Sequence, residues 1–209
     1  GGQPPPMSPT PQQYLEKACP FRRNNVTLPY TLPHNHETDL LPRLCFVGRQ
    51  RHRRTAAQDA AAEVIAPDIP VDPLEALPFL TDLVEREQPD IVLGTSMGGM
   101  YAAQMHGHLR ICVNPAFRMS TMSKVLRTGE HPFLNGRKDH AKTFRITRDT
   151  IAHFNAMERR QFDGITPADR DLCYGLFGTN DTTVNPANAY ATFTKYYTHA
   201  IPGEKTSRQ

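Results

Sequence analysis

Residues 90–105, DIVLGTSMGGMYAAQM, constrain the fold more tightly than any other stretch of the chain. Ile91, Val92 and Leu93 form a short apolar run without polar alternation, as expected of a parallel strand covered on both faces. Gly94-Thr95-Ser96-Met97-Gly98 follows and fits G-x-S-x-G, the strained strand-to-helix turn that lifts a serine above a sheet. The glycines answer a steric demand. A Cβ at Gly94 or Gly98 would strike neighbouring backbone, and Gly99, Ala102 and Ala103 let the next helix lie close to the sheet. In such a turn Ser96 is a nucleophile, and the Met97 amide at the helix start is an oxyanion donor. An ordinary tight turn is the alternative; the apolar strand before it and the small-residue helix after it favour the nucleophile.

A chain of 209 residues has room for one α/β domain and an appendage, and 38% hydrophobic content makes for a lean core. No run approaches a membrane span and no basic segment leads into an apolar one, so a soluble, cytoplasmic protein is expected. Cys45, Cys112 and Cys173 lie in apolar runs, where buried thiols are expected rather than disulfides; Cys19 stands apart. There is no C-x-x-C pair to support zinc or redox chemistry. A net charge of +3 is too mild to imply nucleic acid.

Residues 1–43 hold nine of the nineteen prolines and read as a poorly ordered tail, its opening GGQPPP resembling linker sequence. His34 and His36 within it read as solvated loop rather than a metal site. The folded domain is expected over 44–209. Leu44-Cys45-Phe46-Val47 and Glu63-Val64-Ile65-Ala66 read as strands, with a helix over 55–62 between them. Asp72 caps the next helix, with Pro73 at its first position, Glu75 at its third and Leu74, Leu77, Leu80 and Val84 as its apolar stripe. It ends near Gln88-Pro89. Ile111-Cys112-Val113 is a further buried strand, running into Asn114-Pro115-Ala116.

From 117 to 170 the apolar strand pattern lapses. This stretch reads as a lid inserted beyond a strand's carboxyl end, with one amphipathic helix over 149–162. Between Arg118 and Arg148, eight Lys or Arg face only Glu130 and Asp139, a local excess of six positive charges. That reads as a solvated face before it reads as a site for acidic substrates. Strand, helix and strand patterns resume over 172–177, 186–197 and 199–202. The whole predicts an α/β fold, a doubly wound, mostly parallel sheet of five or six strands with the elbow strand central.

A serine nucleophile needs an imidazole to take its proton and usually an acid to orient the imidazole, in chain order Ser, Asp or Glu, His. Asp181, in the turn Gly178-Thr179-Asn180-Asp181 after a late strand, is the candidate acid; a turn-capping aspartate is the alternative. Together GTSMGGMYAAQM, ICVNPAFRMS, VIAPDIPVDPLEALPFL and LFGTNDTTVN resemble the YqiA-like small esterases of the α/β-hydrolase superfamily, over about residues 63–204. The resemblance implies a compact serine hydrolase, esterase or thioesterase, acting on a small acyl ester. Ser96 would be its nucleophile and Asp181 its acid, with no metal and no organic cofactor.

Two departures stand beside the match. Where that family carries His-Gly after the first strand, supplying a second oxyanion amide, this chain reads Gly48-Arg49-Gln50-Arg51-His52-Arg53-Arg54, leaving the Gly48 amide as candidate. Where its histidine follows the last strand, this chain reads Pro202-Gly203-Glu204-Lys205-Thr206-Ser207-Arg208-Gln209. His199 is then the base by chain order, although it precedes the last strand; His153, His52, His106 and His108 are poorer candidates. The base is absent, replaced, or lost with an altered end of the reading frame. The alternative function is therefore a catalytically impaired binding protein of the same fold.

Overall fold

The computed structural model describes residues 43–47, 63–119, 126–133, 137–178, 181 and 183–203. In chain order these form β1 (Arg43–Val47), β2 (Glu63–Ile65), α1 (Pro73–Glu87), β3 (Ile91–Thr95), α2 (Met97–Ala103), β4 (Arg110–Val113), β5 (Gly129–Pro132), β6 (Thr143–Ile146), α3 (Arg148–Arg160), α4 (Pro167–Asp171), β7 (Cys173–Phe177), α5 (Pro186–Tyr196) and β8 (His199–Pro202). Six strands make one sheet in the order β2-β1-β3-β4-β7-β8, every neighbouring pair parallel. Of the tail expected over 1–43, residues 1–42 lie outside the described residues, as does the helix expected over 55–62, while Arg43 belongs to β1 rather than to a tail. Among the described residues no helix is long and apolar enough to cross a membrane.

The winding direction reverses within this sheet. From β1 the chain steps out to the edge strand β2, returns past β1 to β3, and then proceeds the other way through β4, β7 and β8. The reversal lies between β1 and β3, whose carboxyl ends form the crevice where open α/β sheets bind ligands. Ser96 stands directly after β3.

Register and the two-residue period of a strand sort the side chains by face. One row across the sheet runs Gly94, Cys112, Gly175, Ala200, all small. Another row on that face runs Cys45, Val92, Arg110, Cys173. Helices α2 and α5 pack over these small residues: at Gly94 a Cβ would overlap the Gly98 carbonyl, and at Gly175 it would lie 2.9 Å from the Phe193 ring. The opposite face carries Leu93, Ile111, Tyr174 and Leu176, all buried. The three described cysteines are free and buried. Burial, then the charge of Glu87, pushes the Cys45 thiol up to about 11. The contact with Cys173 (Sγ–Sγ 3.8 Å), then burial, raises that of Cys112.

Helix α1 begins as expected, with Asp72 Oδ1 accepting from the Leu74 amide at 2.9 Å and Pro73 leading. Its stripe is corrected. Pro73, Ala76, Leu80, Leu83 and Val84 are buried, whereas Leu74 is 61% exposed. At 3.6 residues per turn Leu74 lies about 130° round the helix from the centre of that stripe. The structure also adds elements the sequence pattern did not reveal: the antiparallel β5–β6 hairpin and the short helix α4.

Arg110 locks the amino-terminal end of the sheet. Fully buried, it donates to the Ala103 carbonyl at 2.8 Å, the Asp169 carbonyl at 2.7 Å and Asp169 Oδ1 at 3.0 Å, and lies 5.7 Å from the Tyr197 ring. The Tyr197 hydroxyl donates to the same Ala103 carbonyl at 3.0 Å. One guanidinium thus joins the end of α2, the start of β4, α4 and the end of α5. Removing one partner of a buried pair leaves an uncompensated charge. Arg110→Met should therefore cost about 3–5 kcal/mol in urea unfolding, and Arg110→Met with Asp169→Leu should cost less than Arg110→Met alone. Burial would raise the Asp169 pKa, but the Gly107 amide, Arg110, His106 and the Thr166 contact outweigh it and hold it below the ordinary value. Its stabilisation is then present above the unfolded-state pKa and lost as pH falls through the lower folded one. Unfolding free energy should decline on acidification below about pH 4, and this part of the decline should be missing in the double variant.

Candidate active site

Ser96 occupies the sharp turn that its flanking sequence demands. Its φ of 54° and ψ of −119° lie outside the regions that a residue with a Cβ adopts freely. The conformation is held by backbone bonds: the Ser96 amide donates to the Val113 carbonyl at 2.9 Å, and its carbonyl accepts from Ala116 at 3.0 Å and Met100 at 3.2 Å. Its hydroxyl makes no capping hydrogen bond to the helix it precedes. Met97 is the first residue of α2, where an amide has no intrahelical acceptor. Gly48, the other expected oxyanion donor, lies outside the described residues, as does His52.

Asp181 is half-buried beyond the carboxyl end of β7. Its Oδ1 accepts from the amides of Thr183 at 2.8 Å and Val184 at 2.9 Å, and its Oδ2 from Asn114 Nδ2 at 3.0 Å. Three donors leave a carboxylate capacity for a further one on Oδ2. Asn114, absent from the sequence-derived site, follows β4 with φ 42° and is 7% exposed. The one signal was an asparagine, tolerant of positive φ.

The histidines divide by position. His199 starts β8 in register with Tyr174, its ring stacked on that tyrosine at 4.4 Å, and its Nε2 lies 4.0 Å from Asp171 Oδ1. It sits on the face opposite Gly94 and Cys112, two residues before the level of Thr95, and β8 is three strands from β3. Three strand spacings amount to about 14 Å. The structure does not bring His199 to Ser96 or Asp181. His106 and His108 lie between α2 and β4, at the opposite end of the sheet from Ser96, and burial foremost lowers the pKa of each. His153, on α3, receives a carboxylate: its Nδ1 lies 2.8 Å from Asp72 Oδ2 and 3.0 Å from Oδ1. Among the described residues, no histidine bonds Asp181.

No protein-family profile and no curated protein sequence matches the chain. Solved structures do. A provisionally assigned hydrolase from Agrobacterium vitis S4 superposes with a TM-score of 0.50 at 12% identity, over 79% of this chain and 80% of that one. The naproxen esterase (carboxylesterase NP) and the carboxylesterase CesB (YbfK), both from Bacillus subtilis, give TM-scores of 0.42 at 13% and 11% identity, over 79% of this chain and 75% of each of theirs. At 12% identity the first of these likenesses is one of fold. The expected fold class, α/β with a doubly wound, mostly parallel sheet of five or six strands, is the one observed.

The segment between β4 and β7 docks on the connection after β2: Arg137 Nη1 donates to the Ile69 carbonyl at 3.1 Å, the Lys138 amide to Asp68 Oδ2 at 2.6 Å, and His153 meets Asp72. Within the segment, Gln161 Nε2 donates to the Phe117 carbonyl at 2.9 Å, just after β4. Arg118, Arg127, Lys138, Lys142, Arg145 and Arg148 are exposed, as the solvated-face reading expects. The Tyr101 hydroxyl is buried without a hydrogen-bond partner among the described residues, its pKa raised by burial and then by Asp72.

Strain at Ser96 has a measurable consequence. Glycine adopts the turn without the Cβ penalty, so Ser96→Gly should unfold at higher urea than Ser96→Ala, by about 1 kcal/mol after glycine's entropy is deducted.

Proposed function

We propose that this chain is a serine hydrolase, an esterase or thioesterase acting on a small acyl ester. The observation that carries the reading is the strained Ser96, its hydroxyl uncapped, above the sheet where the winding reverses, with Asp181 held on the same rim. In this reading Ser96 Oγ attacks the acyl carbon as its proton passes to an imidazole. The Met97 amide, with the Gly48 amide as second donor, receives the oxyanion. Collapse expels the alcohol or thiol, which takes that proton, and water then cleaves the acyl-serine by the same steps. Asp181 orients the imidazole through the open position on Oδ2. No metal or organic cofactor enters these steps.

The segment 117–170 acts in this proposal as a lid that shapes acyl choice, and its positive excess favours acyl groups bearing a negative charge. The closer kinship with YqiA-like esterases belongs to the same proposal, resting on the elbow and the segment Asn114-Pro115-Ala116. A hydrolase assignment also accompanies the Agrobacterium vitis protein of shared fold. One observation favours a second reading, a binding protein of this fold without a working base: no described histidine bonds Asp181.

A fluorophosphonate probe separates the two. Stoichiometric labelling of the native protein, lost in Ser96→Ala and much slowed in Asp181→Asn, is the hydrolase outcome. A folded protein that does not label, yet retains affinity for short acyl ligands in calorimetry, is the binding-protein outcome.

A further inference from the structure

The Asn114 side chain is fixed by its neighbours to an unusual degree. Its Oδ1 accepts from the Gly178 amide at 2.9 Å while its Nδ2 donates to Asp181 Oδ2 at 3.0 Å. A backbone donor on one side and a carboxylate on the other leave only one orientation of the amide plane. The backbone is fixed as well, with the Asn114 amide donating to the Leu176 carbonyl at 2.9 Å and φ at 42°.

The same few residues hold the nucleophile turn. Val113 O receives the Ser96 amide and the Ala116 amide donates to Ser96 O, so residues 113–116 grip Ser96 on the β3 side and Asp181 on the β7 side. Strand β4 lies between those strands in the sheet. We infer that Asn114 is a positioning residue: it sets the direction of the Asp181 carboxylate and, through its own strand, the separation of acid and nucleophile. Gly178, joined to the same amide, ties the start of the Asp181 turn to that setting. The inference rests on the reading of Ser96 and Asp181 as working partners. It adds why an acid in a turn, rather than in a strand, keeps one orientation.

The chemistry of the pair supplies a test that a merely structural asparagine would not pass. Asn114→Asp is isosteric and keeps the acceptor for Gly178, but it sets a second carboxylate against Asp181. Two carboxylates at hydrogen-bond distance hold one shared proton until the upper pKa of the pair, which is raised above the ordinary range. Below that pKa the shared proton replaces the amide donor; above it the two charges repel and Asp181 turns away. Asn114→Gly accepts the positive φ and removes the amide altogether.

The experiment measures fluorophosphonate labelling rates of wild type, Asn114→Asp, Asn114→Gly and Asp181→Asn against pH, with circular dichroism of each. The expected result is a ratio of Asn114→Asp to wild type that is near one in acid and falls steadily as pH rises. Asn114→Gly should be slowed about 10- to 100-fold throughout, the worth of a charge-assisted hydrogen bond. A constant Asn114→Asp ratio across the pH range, or Asn114→Gly at the wild-type rate while Asp181→Asn is slow, overturns the role of Asn114 and leaves the hydrolase reading standing. A folded wild type that does not label overturns both.

Discussion

Backbone passing against backbone at Gly94 is the contact on which the rest of the molecule depends. The Gly98 carbonyl occupies the space that a Cβ at 94 would need, and the Gly99 nitrogen lies 2.7 Å from that point. Only this approach lets α2 begin one residue after Ser96 and double back along the sheet. The cost appears at Ser96 as strain of about 1–3 kcal/mol. The offset lies in the helix that follows, where Met100, Tyr101, Ala102 and Ala103 are buried almost completely. Strain is thus local to one residue, and its compensation is spread over a helix.

The two ends of the sheet carry different loads. At the carboxyl rim stand a strained serine and an acid held by an asparagine. At the amino end, Arg110 and Asp169 close a buried charge with its hydrogen bonds largely met, tying together α2, β4, α4 and α5. The segment between β4 and β7 serves both ends, since it supplies the contacts to Ile69 and Asp72 and, further on, Asp169 itself.

Much of this was legible in residue order because the signals are local. Apolar runs gave the strands, Asp72-Pro73 gave the start of α1, and the glycines gave the elbow. What stayed hidden depends on partners remote in sequence. Asn114 reads as an asparagine before a proline, and only the fold joins it to Asp181, 67 positions on. His153 and Asp72 are 81 apart. Arg110 reads as a polar residue flanking a strand, yet it is fully buried because Asp169 arrives beneath it. The β5–β6 hairpin escaped because Glu130, His131 and Pro132 break the apolar pattern, although Thr143-Phe144-Arg145-Ile146 alternates as a strand should. Chain order nominated His199; strand register, invisible to chain order, put it on the other face.

The buried cysteines turn the sheet into its own reporter. A thiol reacts as its thiolate and only where a reagent can reach it. Cys45, Cys112 and Cys173 are enclosed on three different strands, with the first two held well above the ordinary thiol range. Their modification rates therefore count openings of the protein rather than thiol chemistry. Equal rates at all three would mean that β1, β4 and β7 part in a single cooperative event. A faster Cys45 would mean that the β2–β1 edge opens as a unit of its own while the elbow and the Arg110 lock stay closed.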